Sequence, residues 1–278
     1  MSVRSRLQGM GIELCADVWS PLRYRKFNYG ATSAALSEEN PLVSCLMVTR
    51  GNIELMQFSM ACFRRQSYAH RELVVVTGSE AAEKLRDFMT SQNNLNVVIV
   101  EAPPGLTLGD RRNFAAARAR GTILVTWDDD DLSDPTRLET AVRVLRQSGA
   151  AAMFISRLLI WWPRRKIAAI SQRRFWEGSI AVWRTHMPIY PAQSRGEDTA
   201  VIVPFTKTHY VATVDCPFLY VYTITDQNTS GVPHFEAIIS RAEYVFEGEQ
   251  FDELNELMSD RLPLLQYSEM LKTDNIIA

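Results

Sequence analysis

Four consecutive aspartates, Asp128 to Asp131, close the apolar, β-branched run Thr122, Ile123, Leu124, Val125, Thr126 and Trp127, and no other feature constrains the folding of this chain so tightly. Adjacent carboxylates repel one another, so a fold keeps such a cluster only where solvent or a cation neutralises it. Runs of like charge are ordinarily solvated loops or tails. Here a strand of buried character leads straight into the run. Leu132, Ser133, Asp134 and Pro135 after it read as the cap and first turn of a helix. Ligands of open α/β sheets bind beyond the carboxyl ends of the strands. The ridge is therefore expected where a divalent ion bound to phosphates would be held.

Of the 278 residues 46% are apolar, enough for a large core in one α/β domain or a domain with appendages. A net charge of −2 gives no reason to expect nucleic acid as a partner. Cys15, Cys45, Cys62 and Cys216 are scattered, with neither a CxxC pair nor zinc-finger spacing, and read as reduced, mostly buried thiols of a cytosolic compartment. No apolar stretch approaches the length of a membrane span, and Arg4 and Arg6 are not followed by a continuous apolar region. The expectation is a soluble cytoplasmic protein.

Residues 1–40 stand apart as an extension. Arg4, Arg6, Arg23, Arg25 and Lys26 are interleaved with Trp19, Tyr24, Phe27 and Tyr29, and a small-residue stretch from Gly30 to Ala35 follows. Basic residues among aromatics suit peripheral docking at the inner face of an anionic membrane. Lacking a helical apolar stripe, the segment reads rather as an extension packed on the domain or on the second subunit of a homodimer.

From residue 41 strand-like and helix-like segments alternate. Leu42 to Val48, Glu72 to Val76, Asn96 to Val100 and Thr122 to Trp127 read as strands; Glu54 to Arg65, Glu80 to Ser91, Arg111 to Arg120 and Pro135 to Gln147 read as helices. That rhythm predicts βαβ units and a mostly parallel sheet flanked by helices. After Gly149 it changes. Ala151 to Trp162 and Lys166 to Ile170 flank Pro163, Arg164 and Arg165, which suits a hairpin. A helix-like run from Asp198 to Phe205, strands at Tyr210 to Val214 and Phe218 to Thr223, and a charged tail helix after Glu236 complete the pattern. The expected units are a nucleotide-binding half (41–150), an acceptor-side lobe (151–235) and a helical tail (236–278).

Two further features accompany the ridge. Gly109, Asp110, Arg111, Arg112 and Asn113 open the helix that leads back to the aspartate strand, and a helix amino terminus beside guanidinium groups is a natural anion site. Gly196, Glu197, Asp198 and Thr199 start another helix, where an acidic pair is also favoured simply by the helix dipole. In order and spacing the whole set resembles the GT-A fold glycosyltransferases of family 2. The resemblance is carried by Pro41 to Ser44, Phe63 to Tyr68, Glu72 to Val76, Arg112-Asn113, Ala119 to Gly121, Asp130-Asp131-Leu132 with Pro135 and Leu138-Glu139, Gly178-Ser179 and Gly196 to Asp198, with a weaker echo at Asn228 to Ser230.

The resemblance implies a GT-A, Rossmann-like α/β fold and an inverting enzyme that takes one sugar from a nucleoside-diphosphate sugar. Asp198 matches the general base that takes a proton from the acceptor hydroxyl. Thr49, Arg50, Thr77, Arg112, Asn113, Asp128 and Asp129 would bind the donor; Trp176, Gly178, Ser179 and Glu197 would face the acceptor, a saccharide or lipid-linked saccharide of bacterial surface polysaccharide or glycoconjugate assembly. Asp130 and Asp128, with His234 as a further candidate, would hold Mn²⁺ or Mg²⁺ through hard oxygen ligands.

Several positions depart from the family pattern. Where relatives carry a carboxylate that reads the base, this chain has Val76-Thr77-Gly78-Ser79, which leaves UDP-, GDP- and dTDP-sugars open. Thr225 stands where many relatives have a histidine, and the nearest is His234. The aromatic stretch with Trp161, Trp162, Trp176 and Trp183 reads mainly as core, with Trp176 the best candidate for a sugar contact. A nucleotidyltransferase acting on sugar phosphates and a catalytically silent sugar-binding protein remain alternatives, because fold and function are separable.

Overall fold

Continuous apolar runs mark strands covered on both faces, and such runs build the centre of this protein. A computed structural model describes residues 2–10, 24–27, 40–91 and 96–273. The elements, in order, are α1 (Val3–Gly9), β1 (Tyr24–Phe27), β2 (Val43–Val48), α2 (Ile53–Arg64), β3 (Arg71–Thr77), α3 (Ser79–Ser91), β4 (Val97–Glu101), α4 (Leu108–Arg118), β5 (Ile123–Thr126), β6 (Leu132–Ser133), α5 (Arg137–Ser148), β7 (Ala152–Ile155), β8 (Leu159–Trp162), β9 (Ile167–Ile170), β10 (Ala181–Trp183), α6 (Glu197–Thr208), β11 (Val211–Val214), β12 (Tyr220–Thr223), α7 (Val232–Ile239), β13 (Tyr244–Glu247), α8 (Glu249–Met258) and α9 (Leu264–Thr273).

The larger sheet has the order β1-β11-β7-β10-β5-β2-β3-β4. Its half formed by β4, β3, β2 and β5 is parallel, with α2, α3 and α4 in the connections. β10 then runs antiparallel to β5 and β7, while β7 and β11 are parallel. A smaller sheet, β13-β9-β8-β12-β6, stands beside it. This is the expected mixed α/β architecture, with the parallel strands gathered in the half built by β2 to β5. Valines and leucines of β2, β3 and β5 are buried to either side of the sheet, one set packing with α2 and α5, the other with α4 and α6.

Three expectations are corrected. The run from Ala151 to Trp162 is two strands in two sheets, because the chain turns at Arg157, whose buried guanidinium pairs with Asp215 and Glu243, each at 2.7 Å. Leu132 and Ser133 cap no helix; they pair with β12, and α5 begins only at Arg137. Asp134 instead accepts from Thr136 and from Arg261. The segment after Glu236 is not a detached helical tail. It supplies β13 to the smaller sheet and buries Phe251, Leu254, Leu264 and Tyr267 in the main core.

Of the amino-terminal extension, Val3 and Leu7 are fully buried, Val3 N–H donates to Glu253 at 3.0 Å, and β1 pairs with β11. Those parts pack on the domain, as one of the two readings has it. Cys15, Trp19, Arg23, Tyr29 and Gly30 to Ala35 lie outside the described residues. Cys45, Cys62 and Cys216 are buried free thiols. No helix among the described residues is long and apolar enough to cross a membrane.

At the amino-terminal edge of the parallel strands the Glu72 carboxylate is buried and accepts from Ser44 Oγ at 2.7 Å, Arg120 N–H at 2.7 Å and Arg120 Nε at 2.8 Å. Burial alone would raise its pKa, but these donors overcome it and hold the group below the usual carboxylate range. A depressed folded pKa contributes stability that is complete above the unfolded value of about 4.3 and is lost as the pH falls through the folded one. Glu72→Gln is expected to lower unfolding stability at pH 7 by about 1–3 kcal/mol. Urea titrations from pH 7 to pH 3 should show the gap between variant and parent closing as the parent protonates; a gap that is constant with pH would contradict the assignment.

Candidate active site

β5 leads into the ridge as its pattern required. Trp127 is buried beneath it, its backbone N–H donating to Leu46 O at 2.9 Å, and Ser59 Oγ on α2 donates to the Asp128 carbonyl at 2.8 Å. The four side chains then diverge. Asp129 accepts from Thr49 Oγ1 at 2.5 Å, beside the exposed Arg50. Asp130 accepts from Asn228 Nδ2 at 2.7 Å, and its carbonyl accepts from Tyr267 Oη at 3.0 Å. Asp131 turns inward, accepting from the Thr223 N–H at 2.7 Å and from Tyr220 Oη. That same phenol lies 3.0 Å from Asp128 Oδ2. One hydroxyl proton thus serves two carboxylates.

The ridge is short of positive partners. Burial, then repulsion by Asp128, pushes Asp129 up to about 6 against the opposing bond from Thr49 and the charge of Arg50. Burial and the neighbouring carboxylates raise Asp130 and Asp131 well above the usual range. Below them the guanidinium of Arg137 is fully buried, set over the rings of Tyr220 at 4.4 Å and Trp127 at 5.2 Å, and donates to Thr126 O at 2.8 Å. Gly178 closes the same side: a Cβ there would meet Tyr220 Oη at 3.1 Å and Asp128 Oδ2 at 3.4 Å.

Across from the ridge stands the acidic pair. Gly196 reverses the chain with φ +67°, and Glu197 and Asp198 form the first turn of α6. Glu197 is buried and accepts from Arg112 Nε at 3.0 Å, and Arg112 reaches Asp128 Oδ1 at 3.5 Å. Asp198 Oδ1 accepts from the Thr199 N–H at 2.7 Å, and the rest of the carboxylate is partly exposed. Burial and then the charges of Asp131, Asp130, Asp128 and Asp198 push the phenol of Tyr222 well above its ordinary value. Arg112 bridges the ridge and the acidic pair.

The family model for glycosyl transferase family 2 matches residues 44–202. The chain belongs to that family. No curated protein sequence matches it. Among solved structures it is similar to S. aureus TarS 1-349 (TM-score 0.53, 15% identity, 65% of this chain and 60% of that one). TarS in complex with UDP-GlcNAc aligns with TM-score 0.54 at 16% identity over 78% of this chain and 65% of that one. The mannosyltransferase PcManGT from Pyrobaculum calidifontis, in complex with GDP-Man and Mn²⁺, aligns with TM-score 0.53 at 15% identity over 91% and 84%. This chain thus spans about 60% of the first TarS structure, and the likeness establishes a GT-A fold.

In this member of the family several residues that the motif singled out are engaged by the protein itself. Asn113 spends its amide on the backbone of Tyr190, donating to the carbonyl at 2.8 Å and accepting from the N–H at 2.9 Å. It anchors the loop before α6. The amino terminus of α4 is likewise closed: Thr107 and Asp110 form a capping box, and a Cβ on Gly109 would lie 1.9 Å from Pro191 O. An open anion site at that terminus is excluded by contact. Trp176 is buried, its Nε1 donating to Gln172 O and Arg174 covering its ring at 4.5 Å, so its face offers no stacking surface. Ser179 is buried too, accepting from Ile155 N–H at 2.9 Å. Glu197 is turned to Arg112. Trp161, Trp162 and Trp183 are core, as expected.

Thr77 ends β3 fully buried, with an unpartnered Oγ1. His234 is exposed on α7 with its ring against Phe235, and no group of three histidine, cysteine or acidic side chains among the described residues could by itself hold a metal ion. Residues the sequence did not reveal are Tyr220, Arg137 and Tyr267, each carried by an otherwise ordinary aromatic or amphipathic segment. Asn228 was signalled only by the weak echo of Asn-Thr-Ser.

Proposed function

We propose that this glycosyltransferase moves a single sugar from a nucleoside-diphosphate sugar to an acceptor hydroxyl with inversion, aided by Mn²⁺ or Mg²⁺. The observation that carries the reading is a ridge of four carboxylates bridged by Arg112 to the first turn of α6, where Asp198 is partly exposed. The ridge fits a divalent cation. Its donors are hard oxygens, three of its carboxyls are driven up by burial and by one another's charge, and they lie at the carboxyl end of a parallel strand. Asp130 and Asp128 would hold the ion. A bound cation would neutralise the charge of the departing diphosphate.

The chain's own groups do the rest. Asp198 accepts the proton of the acceptor hydroxyl, whose oxygen attacks the anomeric carbon as the bond to the diphosphate breaks. Thr49 and Asn228 orient the ridge, and Gly178 leaves room against Asp128. PcManGT is seen with GDP-Man and Mn²⁺ and TarS with UDP-GlcNAc, which supports a nucleotide-sugar donor and leaves its base open among UDP, GDP and dTDP. An acceptor in bacterial surface-polysaccharide or glycoconjugate assembly follows the family resemblance.

A screen of nucleotide sugars by thermal shift, with and without Mn²⁺, should find a donor that raises the melting point only with the metal. Incubation of that donor with saccharide acceptors should release nucleoside diphosphate. Release of pyrophosphate would point instead to nucleotidyl transfer, and binding without turnover across acceptors to a silent sugar-binding protein.

A further inference from the structure

The guanidinium of Arg112 lies between two carboxylates at unequal distances. Its Nε donates to Glu197 Oε1 at 3.0 Å, while its terminal nitrogens stop 3.5 Å from Asp128 Oδ1. An unhindered arginine–carboxylate pair closes to about 2.7–2.9 Å, commonly through two parallel bonds. Arg112 therefore bridges both acids, with the shorter bond to Glu197 and the longer contact to Asp128, although Asp128 belongs to the more strongly negative group. The restraint comes from the α6 side. Glu197 is only 3% exposed at its side chain and sits in the first turn of α6. The ring of Tyr190 lies 5.9 Å from the guanidinium carbon, and the Tyr190 backbone is clamped by Asn113, the residue after Arg112. One turn earlier Gly109 is seated against the same loop, its N–H donating to Gln193 O at 3.0 Å.

We propose that Glu197 is a positioning residue that holds Arg112 off Asp128 and so keeps Asp128 free for the cation and the donor. The proposal rests on the transferase reading above. With Glu197 neutralised, the guanidinium loses its stronger partner and closes on Asp128, where it competes with the cation for the same oxygens. Glu197 thereby governs the donor side from a helix that belongs to the acceptor side. A purely structural Glu197 would behave otherwise: its loss would lower the melting point, and removing Arg112 as well would not bring nucleotide binding back.

The test is calorimetric titration of UDP and of GDP, each with and without Mn²⁺, into the unmodified protein, Glu197→Gln, Arg112→Gln and Arg112→Gln/Glu197→Gln. Glu197→Gln is expected to weaken Mn²⁺-dependent nucleotide binding about tenfold or more, the usual cost of disturbing an outer-shell partner of a metal site. In the double variant no guanidinium is left to close on Asp128, so its affinity should exceed that of Glu197→Gln and match that of an Arg112→Gln control to within about twofold, the scatter expected of uncoupled sites. Wild-type affinity in Glu197→Gln, or a double variant as weak as Glu197→Gln, overturns the proposal. Should Glu197→Gln not melt cooperatively, the double variant is compared with Arg112→Gln alone, and a tenfold weaker affinity in the double variant overturns the proposal. Absence of any Mn²⁺-dependent nucleotide binding in the unmodified protein would sink the transferase reading itself.

Discussion

Asp198→Asn is expected to lower kcat by about 10²–10⁴-fold, the span attributable to a positioned general base, while the affinity for a nucleoside diphosphate with Mn²⁺ stays unchanged. The substitution keeps shape: an amide oxygen can still accept from the Thr199 N–H that Asp198 Oδ1 engages at 2.7 Å. It removes only the capacity to take a proton. Asp198 owes its place to its neighbours. Gly196 supplies the positive φ that turns the chain into α6, and the buried Glu197 is fastened to Arg112, while Asp198 beside it stays partly exposed. None of these contacts involves the Asp198 carboxylate, and donor binding has no reason to respond. Single-turnover kinetics together with nucleotide titration would separate the two effects. Loss of both in equal measure would show that Asp198 serves the donor and not the acceptor.

The parallel half of the fold was legible because buried parallel strands are written as apolar runs, as in β2, β3 and β5, the first two leading directly into helices. The ridge was legible for the same reason: charge placed immediately after a buried strand has few ways to be solvated. What lay hidden was decided by distant partners. Leu132 and Ser133 look like a helix entry in sequence, yet they find an antiparallel partner in β12, some ninety residues on. Asn113 lies in a motif position that suggests a ligand, but its amide matches the backbone of a loop that no local pattern places beside it. Tyr220 and Tyr267 are single phenols in ordinary segments, and only the folded chain brings them to the aspartates. Long-range pairing of polar groups has no periodicity to betray it.

Asp130→Asn separates function from structure by giving effects of opposite sign. As a carboxylate Asp130 is partly exposed among three others, and burial with their repulsion raises its pKa well above the ordinary value. A group whose folded pKa lies above its unfolded one destabilises the native state at neutral pH when it must ionise there. The amide removes that charge and keeps an oxygen for the bond from Asn228 Nδ2, which spans 2.7 Å in the parent. Metal-free Asp130→Asn is therefore expected to melt no lower than the parent, and each kcal/mol of relieved repulsion should add about 2–4 °C. Its Mn²⁺-dependent nucleotide affinity should fall by about 100-fold or more, since a direct ligand is worth at least what an outer-shell partner costs at its upper end. A side chain kept for packing would give the reverse pattern, a lower melting point with metal-dependent binding intact. Melting curves with and without Mn²⁺ and GDP or UDP read both quantities from one sample, and only a rise without metal joined to a lost shift with it agrees with Asp130 as a cation ligand.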